Sequence, residues 1–84
     1  MSTTEIELSE HAREMLEERR IPEIWLQQAI AVPDRIEVGT DNNLHYIKSI
    51  SEHGGRFLRV IVNPYVSPRR VVTVFFDRRL RRRT

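Results

Sequence analysis

The 84-residue chain contains no cysteine, only three glycines and four prolines, and a single lysine among fourteen basic residues. Without thiols there can be no disulfide, no thiolate metal site and no cysteine nucleophile, and the chain fits a reducing cytoplasm. With three glycines there is no glycine-rich phosphate loop; Gly54-Gly55 reads as a hairpin turn. No apolar run approaches the roughly 20 residues of a membrane-spanning helix, so no membrane role is expected. Met1–Glu5 lacks the basic and apolar regions of a secretory signal. Histidine is also sparse: His11, His45 and His53 show no ligand spacing with one another or with carboxylates, so neither metal nor other cofactor is expected.

Arginine is abundant, with thirteen copies. Its planar fork stays charged at any working pH and grips phosphate or carboxylate bidentately. Charge is also unevenly distributed. Residues 1–41 hold ten acids and four bases, net −6; residues 42–84 hold ten bases and two acids, net +8. The net charge of +2 thus hides a dipolar molecule, and its basic part should attract phosphate-rich partners or an acidic protein that blocks it. The competing reading is an ordinary solvated surface with a basic tail.

The length allows one domain with one modest core. Residues 1–7 read as a flexible lead-in, 8–77 as the domain and 78–84 as a basic tail. Ser9 is a good N-cap with Glu10 in the first turn. Leu8, Ala12, Met15, Leu16 and the stem of Arg19 then form a helical apolar stripe. Ile21-Pro22 ends this helix and begins a second, whose stripe is Ile21, Trp25, Leu26, Ala29 and Ile30. Pro33-Asp34 stops it. From there the period changes from 3.6 to 2. Strands are expected over Arg35–Thr40 (Ile36 and Val38 inward), Leu44–Ile50, Arg56–Asn63 and Arg70–Phe76. The expected fold class is α+β, with two N-terminal helices on one face of a four-stranded antiparallel sheet, ααββββ. The helices should cover Leu58, Val60 and Val62, with Trp25 substantially buried as the anchor of the second helix.

The uncovered face should then present Arg59, with Arg56 at the start of its strand. Beside Arg59 stands either the His45/Ser49 or the Tyr46/Lys48 set; a one-residue change of register exchanges them. Cations, an aromatic and an imidazole on an open sheet are the parts of a metal-free nuclease: phosphate is held, charge on the phosphorane neutralised and a proton moved. The alternative is a solvated sheet face. His11, at the helix–sheet seam, is either an acid/base group or a structural histidine. Lys48, Arg56, Arg69, Arg70, Arg78, Arg79, Arg81, Arg82 and Arg83 are the expected nucleic-acid contacts.

Several short runs form a recognisable series: Ser9-Glu10-His11-Ala12, Arg19-Arg20-Ile21-Pro22, Ala29, Pro33-Asp34-Arg35, Tyr46, Leu58-Arg59-Val60 and Val72-Thr73-Val74. In order and spacing the chain resembles the bacterial domain-of-unknown-function family 4258 over roughly residues 8–77. That family looks related to the RelE/ParE-like and BrnT-like toxins, so the resemblance implies a RelE-like fold. His11 matches its most distinctive polar position; Arg59 and Thr73 match recurrent strand positions. The resemblance further implies a toxin-like, metal-independent endoribonuclease acting on RNA or on the ribosome and blocked by an acidic antitoxin. Cleavage would use the RNA's own 2′-OH and leave a cyclic phosphate, with Arg59 and Arg56 on phosphate and His11 or Tyr46 handling protons. A non-catalytic nucleic-acid- or protein-binding module and a ParE-like protein inhibitor are the alternatives, since a shared fold does not fix activity.

Overall fold

The computed structural model describes residues 6–80. The elements run β1 (Ile6–Leu8), α1 (Glu10–Glu18), α2 (Glu23–Ala31), β2 (Arg35–Val38), β3 (Leu44–Ile50), β4 (Arg56–Asn63) and β5 (Arg69–Phe76). A one-turn 3-10 segment, Ser51–His53, leads into the β3–β4 turn.

The expected ααββββ arrangement is overturned. A strand precedes the helices, and the sheet has five strands in the order β1-β5-β4-β3-β2. It is mixed: β1 runs parallel to β5, while every other neighbouring pair is antiparallel. Ile6 and Glu7, read from sequence as lead-in, therefore belong to the sheet. Ile6-Glu7-Leu8 alternates, but three residues are too few to mark a strand, and a parallel partner some sixty residues away leaves no local signal.

Ser9 joins the new strand to the first helix. Its Oγ accepts the Ala12 N–H at 3.0 Å, capping α1, and donates to the Val72 carbonyl at 3.0 Å. At the other end of α1 the Ile21 N–H reaches back to the Leu16 carbonyl at 2.8 Å. This closing turn requires a left-handed residue, and Arg20 supplies it at φ 54° where glycine is the usual choice.

Both helices lie on one side of the sheet. Ala12, Leu16, Ile21, Leu26 and Ala29 pack against Tyr46, Ile50, Leu58, Val60, Val62, Val71 and Val74 in one core. The alternation expected for Leu58, Val60 and Val62 holds. Trp25 packs against the core from its edge, and Leu26 is the deeper anchor of α2. One other expectation fails. Ile36 and Val38 are 49% and 70% exposed, because α2 rests on β3 and β4 and stops short of the edge strand β2.

Candidate functional site: an arginine cleft beside a locked sheet face

Register settles which residues accompany Arg59. Ile47 pairs with Arg59, His45 with Ile61 and Ser49 with Phe57. The uncovered face therefore carries His45, Ile47 and Ser49 beside Arg59, and Tyr46 faces the helices. Tyr46 is buried in the core, where its hydroxyl accepts from Arg69 Nη1 at 2.9 Å. His11 is exposed on α1, on the other side of the sheet from Arg59. The three residues expected to act together, His11, Tyr46 and Arg59, thus occupy three separate environments.

Arg59 is only 9% exposed and held by the fold. Its Nε donates to Asp77 Oδ2 at 2.8 Å and its Nη1 to His45 Nδ1 at 2.8 Å, with Glu37 3.7 Å away. A guanidinium has no acceptor, so His45 Nδ1 must be the bare nitrogen and the ring proton sits on Nε2. From there it faces Asp41, whose carboxylate oxygens lie 3.2 and 3.3 Å away. The Asn43 N–H, 3.0 Å from Asp41, is the main cause holding that carboxyl below its ordinary range; slight desolvation opposes this, and His45 adds to it. Gly39 leaves room for the arrangement: a Cβ there would overlap His45 Nε2 and lie 2.6 Å from Asp41 Oδ1.

Asp77, 4% exposed, ties this face to the end of β5. Burial works against its ionisation. Hydrogen bonds from the Arg79 side chain and N–H, and from Arg59, outweigh that and hold the carboxyl below the ordinary carboxylate range.

The other arginines divide cleanly. Arg35 pairs with Glu37, Arg70 with Glu7, Arg79 with Asp77, and Arg69 binds Tyr46. The side chains of Arg13, Arg19, Arg20, Arg56 and Arg78 have no hydrogen-bond or ion-pair partner among the described residues. Four of these five, all but Arg13, line one cleft of about 680 Å³. The end of α1 contributes Arg19 and Arg20, the start of β4 Arg56, and the segment after β5 Arg78. His53, Gly54, Gly55, Phe76, Asp77 and Leu80 complete the wall. Gly54 and Gly55, at φ 69° and 75°, turn the chain there. His53 is exposed and lies on Phe76, ring centroids 4.6 Å apart, with Trp25 5.5 Å from His53. Unpaired guanidinium groups around an aromatic floor bind phosphates and stack bases.

Of the expected nucleic-acid contacts, Arg56 and Arg78 line this cleft. Lys48 instead donates to the Val32 carbonyl at 3.1 Å. Arg69, Arg70 and Arg79 are held by the partners just described. Arg81, Arg82 and Arg83 lie outside the described residues. Sequence reasoning does not find Arg19, Arg20 and His53 as a group. The only hint is a basic pair at a helix end, a position that also suits the helix dipole without any ligand.

Among the described residues no helix is long and apolar enough to cross a membrane, and no cluster of three metal-ligating side chains occurs. No curated protein and no solved structure matches the chain. The family described as "Domain of unknown function (DUF4258)" matches residues 8–76, which takes in α1, α2 and the whole β2–β5 meander, and the chain belongs to that family.

Proposed function

We propose that the protein is a cytoplasmic RNA-binding module that holds the phosphate backbone in the arginine cleft. One observation carries this reading: of the five arginines without a side-chain partner among the described residues, four line a single cleft. Leaving four guanidinium groups close together is electrostatically unfavourable, and a polyanion relieves it. The aromatic floor favours a single strand, whose bases are free to stack. An acidic antitoxin-like protein would compete for the same cleft. A distant kinship with the RelE/ParE/BrnT-like toxins belongs to this proposal, supported by the two consecutive helices ahead of an antiparallel meander.

A second reading, metal-independent endoribonuclease, is favoured by the exposure of His53 among the arginines. There a histidine can take the proton of an attacking 2′-OH while arginine neutralises the phosphorane.

The test is binding of a fluorescein-labelled single-stranded RNA, followed by anisotropy across a salt titration in EDTA. Arg20→Glu/Arg56→Glu should lose about tenfold or more in affinity at low salt. The slope of log affinity against log salt should also flatten, by about 0.7 for every phosphate no longer neutralised. Arg13→Glu, outside the cleft, should bind like wild type. Equal losses in both variants, or none in the first, would rule the cleft out. Cleavage of the same RNA that disappears in His53→Ala would establish the nuclease; an intact RNA leaves the binding module.

A further inference from the structure

β2 forms one edge of the sheet, with no strand beyond it among the described residues. The Gly39 N–H bonds the Asn43 carbonyl at 3.0 Å, and the Asp34 N–H bonds the Ile47 carbonyl at 2.8 Å. Carried along the β2–β3 register, in which Arg35 faces Ile47 and Glu37 faces His45, these bonds fix the phase of the ladder. Arg35 and Glu37 exchange their backbone bonds with β3, and the N–H and C=O groups of Ile36 and Val38 point out from the free edge.

The side chains of this edge combine the charge that commonly blunts open edges with exposed apolar groups. Here Ile36 and Val38 stand exposed on the helix side of the sheet. Arg35 and Glu37 stand on the other side, 3.1 Å from each other and roughly half exposed. This four-residue pattern is complementary to itself when reversed. Two antiparallel copies centred on Ile36 place Ile36 opposite Ile36 with outward backbone groups facing each other. Arg35 of each copy then falls opposite Glu37 of its partner. Sliding the centre to Glu37 also matches backbone groups, but sets Glu37 against Glu37. Charge therefore selects one register.

We infer that β2 is a self-pairing edge: a second copy of this chain docks antiparallel on it, joining two five-stranded sheets into one ten-stranded sheet with two cross-strand Arg35–Glu37 pairs. A two-fold axis through Ile36 satisfies both copies at once. Because Arg35 and Glu37 already pair in the single chain while exposed, exchanging partners adds little desolvation.

The experiment is light-scattering mass after gel filtration over a concentration series. Wild type should move from 10.0 kDa toward twice that mass as concentration rises. Arg35→Glu alone sets acid against acid, and Glu37→Arg alone sets base against base; each should stay monomeric. Mixed in equal amounts they should give a one-to-one dimer, because every cross-strand pair is again opposite in charge. A monomeric wild type, dimers of either single variant, or a mixture that stays monomeric would each overturn the inference. Because Glu37→Arg brings a cation toward Arg59, each variant is first checked by thermal melt. If it fails to fold, Ile36→Lys replaces it: a dimer weakened at least tenfold supports the self-pairing edge, and an unchanged dimer refutes it.

Discussion

Arg56 and Arg59 lie three residues apart on one strand and lead opposite lives. Arg59 is buried on the open face, hydrogen-bonded to Asp77 and His45 and near Glu37. Arg56 lines a cleft with three other arginines and has no side-chain partner among the described residues. Each region also has a histidine: His45 is clamped between Arg59 and Asp41, and His53 is exposed at the cleft wall. The same residue types thus form a structural network in one place and, among the described residues, an unpaired cationic surface in the other. The difference lies in carboxylates. Asp77 takes up Arg59 and Arg79, while the four arginines of the cleft form no ion pair among the described residues.

The largest effect should come from removing that carboxylate. Asp77→Ala leaves Arg59 buried with only a histidine and a more distant Glu37. Breaking a buried pair in this way costs about 3–5 kcal/mol, readable in urea titrations. The contribution should depend on pH in a definite sense. A carboxyl whose folded value lies below its unfolded value of 3.8 stabilises the fold above that value, and the benefit disappears as pH falls through the folded value. The stability gap between wild type and Asp77→Asn should therefore be constant near neutrality and close in acid. A gap independent of pH would place Arg59 outside a structural network.

Gly39→Ala should come next, at about 1–3 kcal/mol, because the added methyl meets the His45 ring and Asp41 and forces one of them away. A shift of the His45 resonances in the ¹H–¹⁵N spectrum should accompany the loss. Unchanged histidine signals would mean the clamp is loose.

Arg20→Gly should separate the two regions most sharply, because its two effects have opposite signs. Arg20 holds a left-handed conformation, so glycine should raise stability by about 1 kcal/mol. RNA affinity should fall at the same time, since a cleft cation is removed. A variant that is more stable and binds as well as wild type would return Arg20 to an ordinary helix end. The smallest effect is expected from truncation after Leu80, which removes Arg81, Arg82 and Arg83. It should weaken RNA binding at low salt and become invisible as salt rises.

Much of this is legible in the sequence, and the gaps have physical causes. The inward positions Leu58, Val60 and Val62 follow from alternation on a central strand, where both neighbours enforce the pleat. The same rule misplaces Ile36 and Val38, because an edge strand need not be covered. Whether Tyr46 or His45 stands beside Arg59 depends on register, which only pairing partners can fix. Arg19, Arg20, Arg56 and Arg78 come from three separate segments; nothing local marks their convergence. The basic second half of the chain is a real signal, but it does not distinguish Arg59, consumed by the fold, from Arg56, left over by it.

Ser9 also bears on when the fold can form during synthesis. Its hydroxyl ties the start of the first helix to the Val72 carbonyl, 63 residues downstream, and its N–H bonds the Val71 carbonyl. Because β1 pairs only with β5 among the described residues, the first strand cannot join the sheet until most of the chain has left the ribosome. Loops of that length close slowly. The acidic first half thus emerges before the strand that completes its sheet, and the arginine cleft, whose three segments include the one after β5, is assembled last.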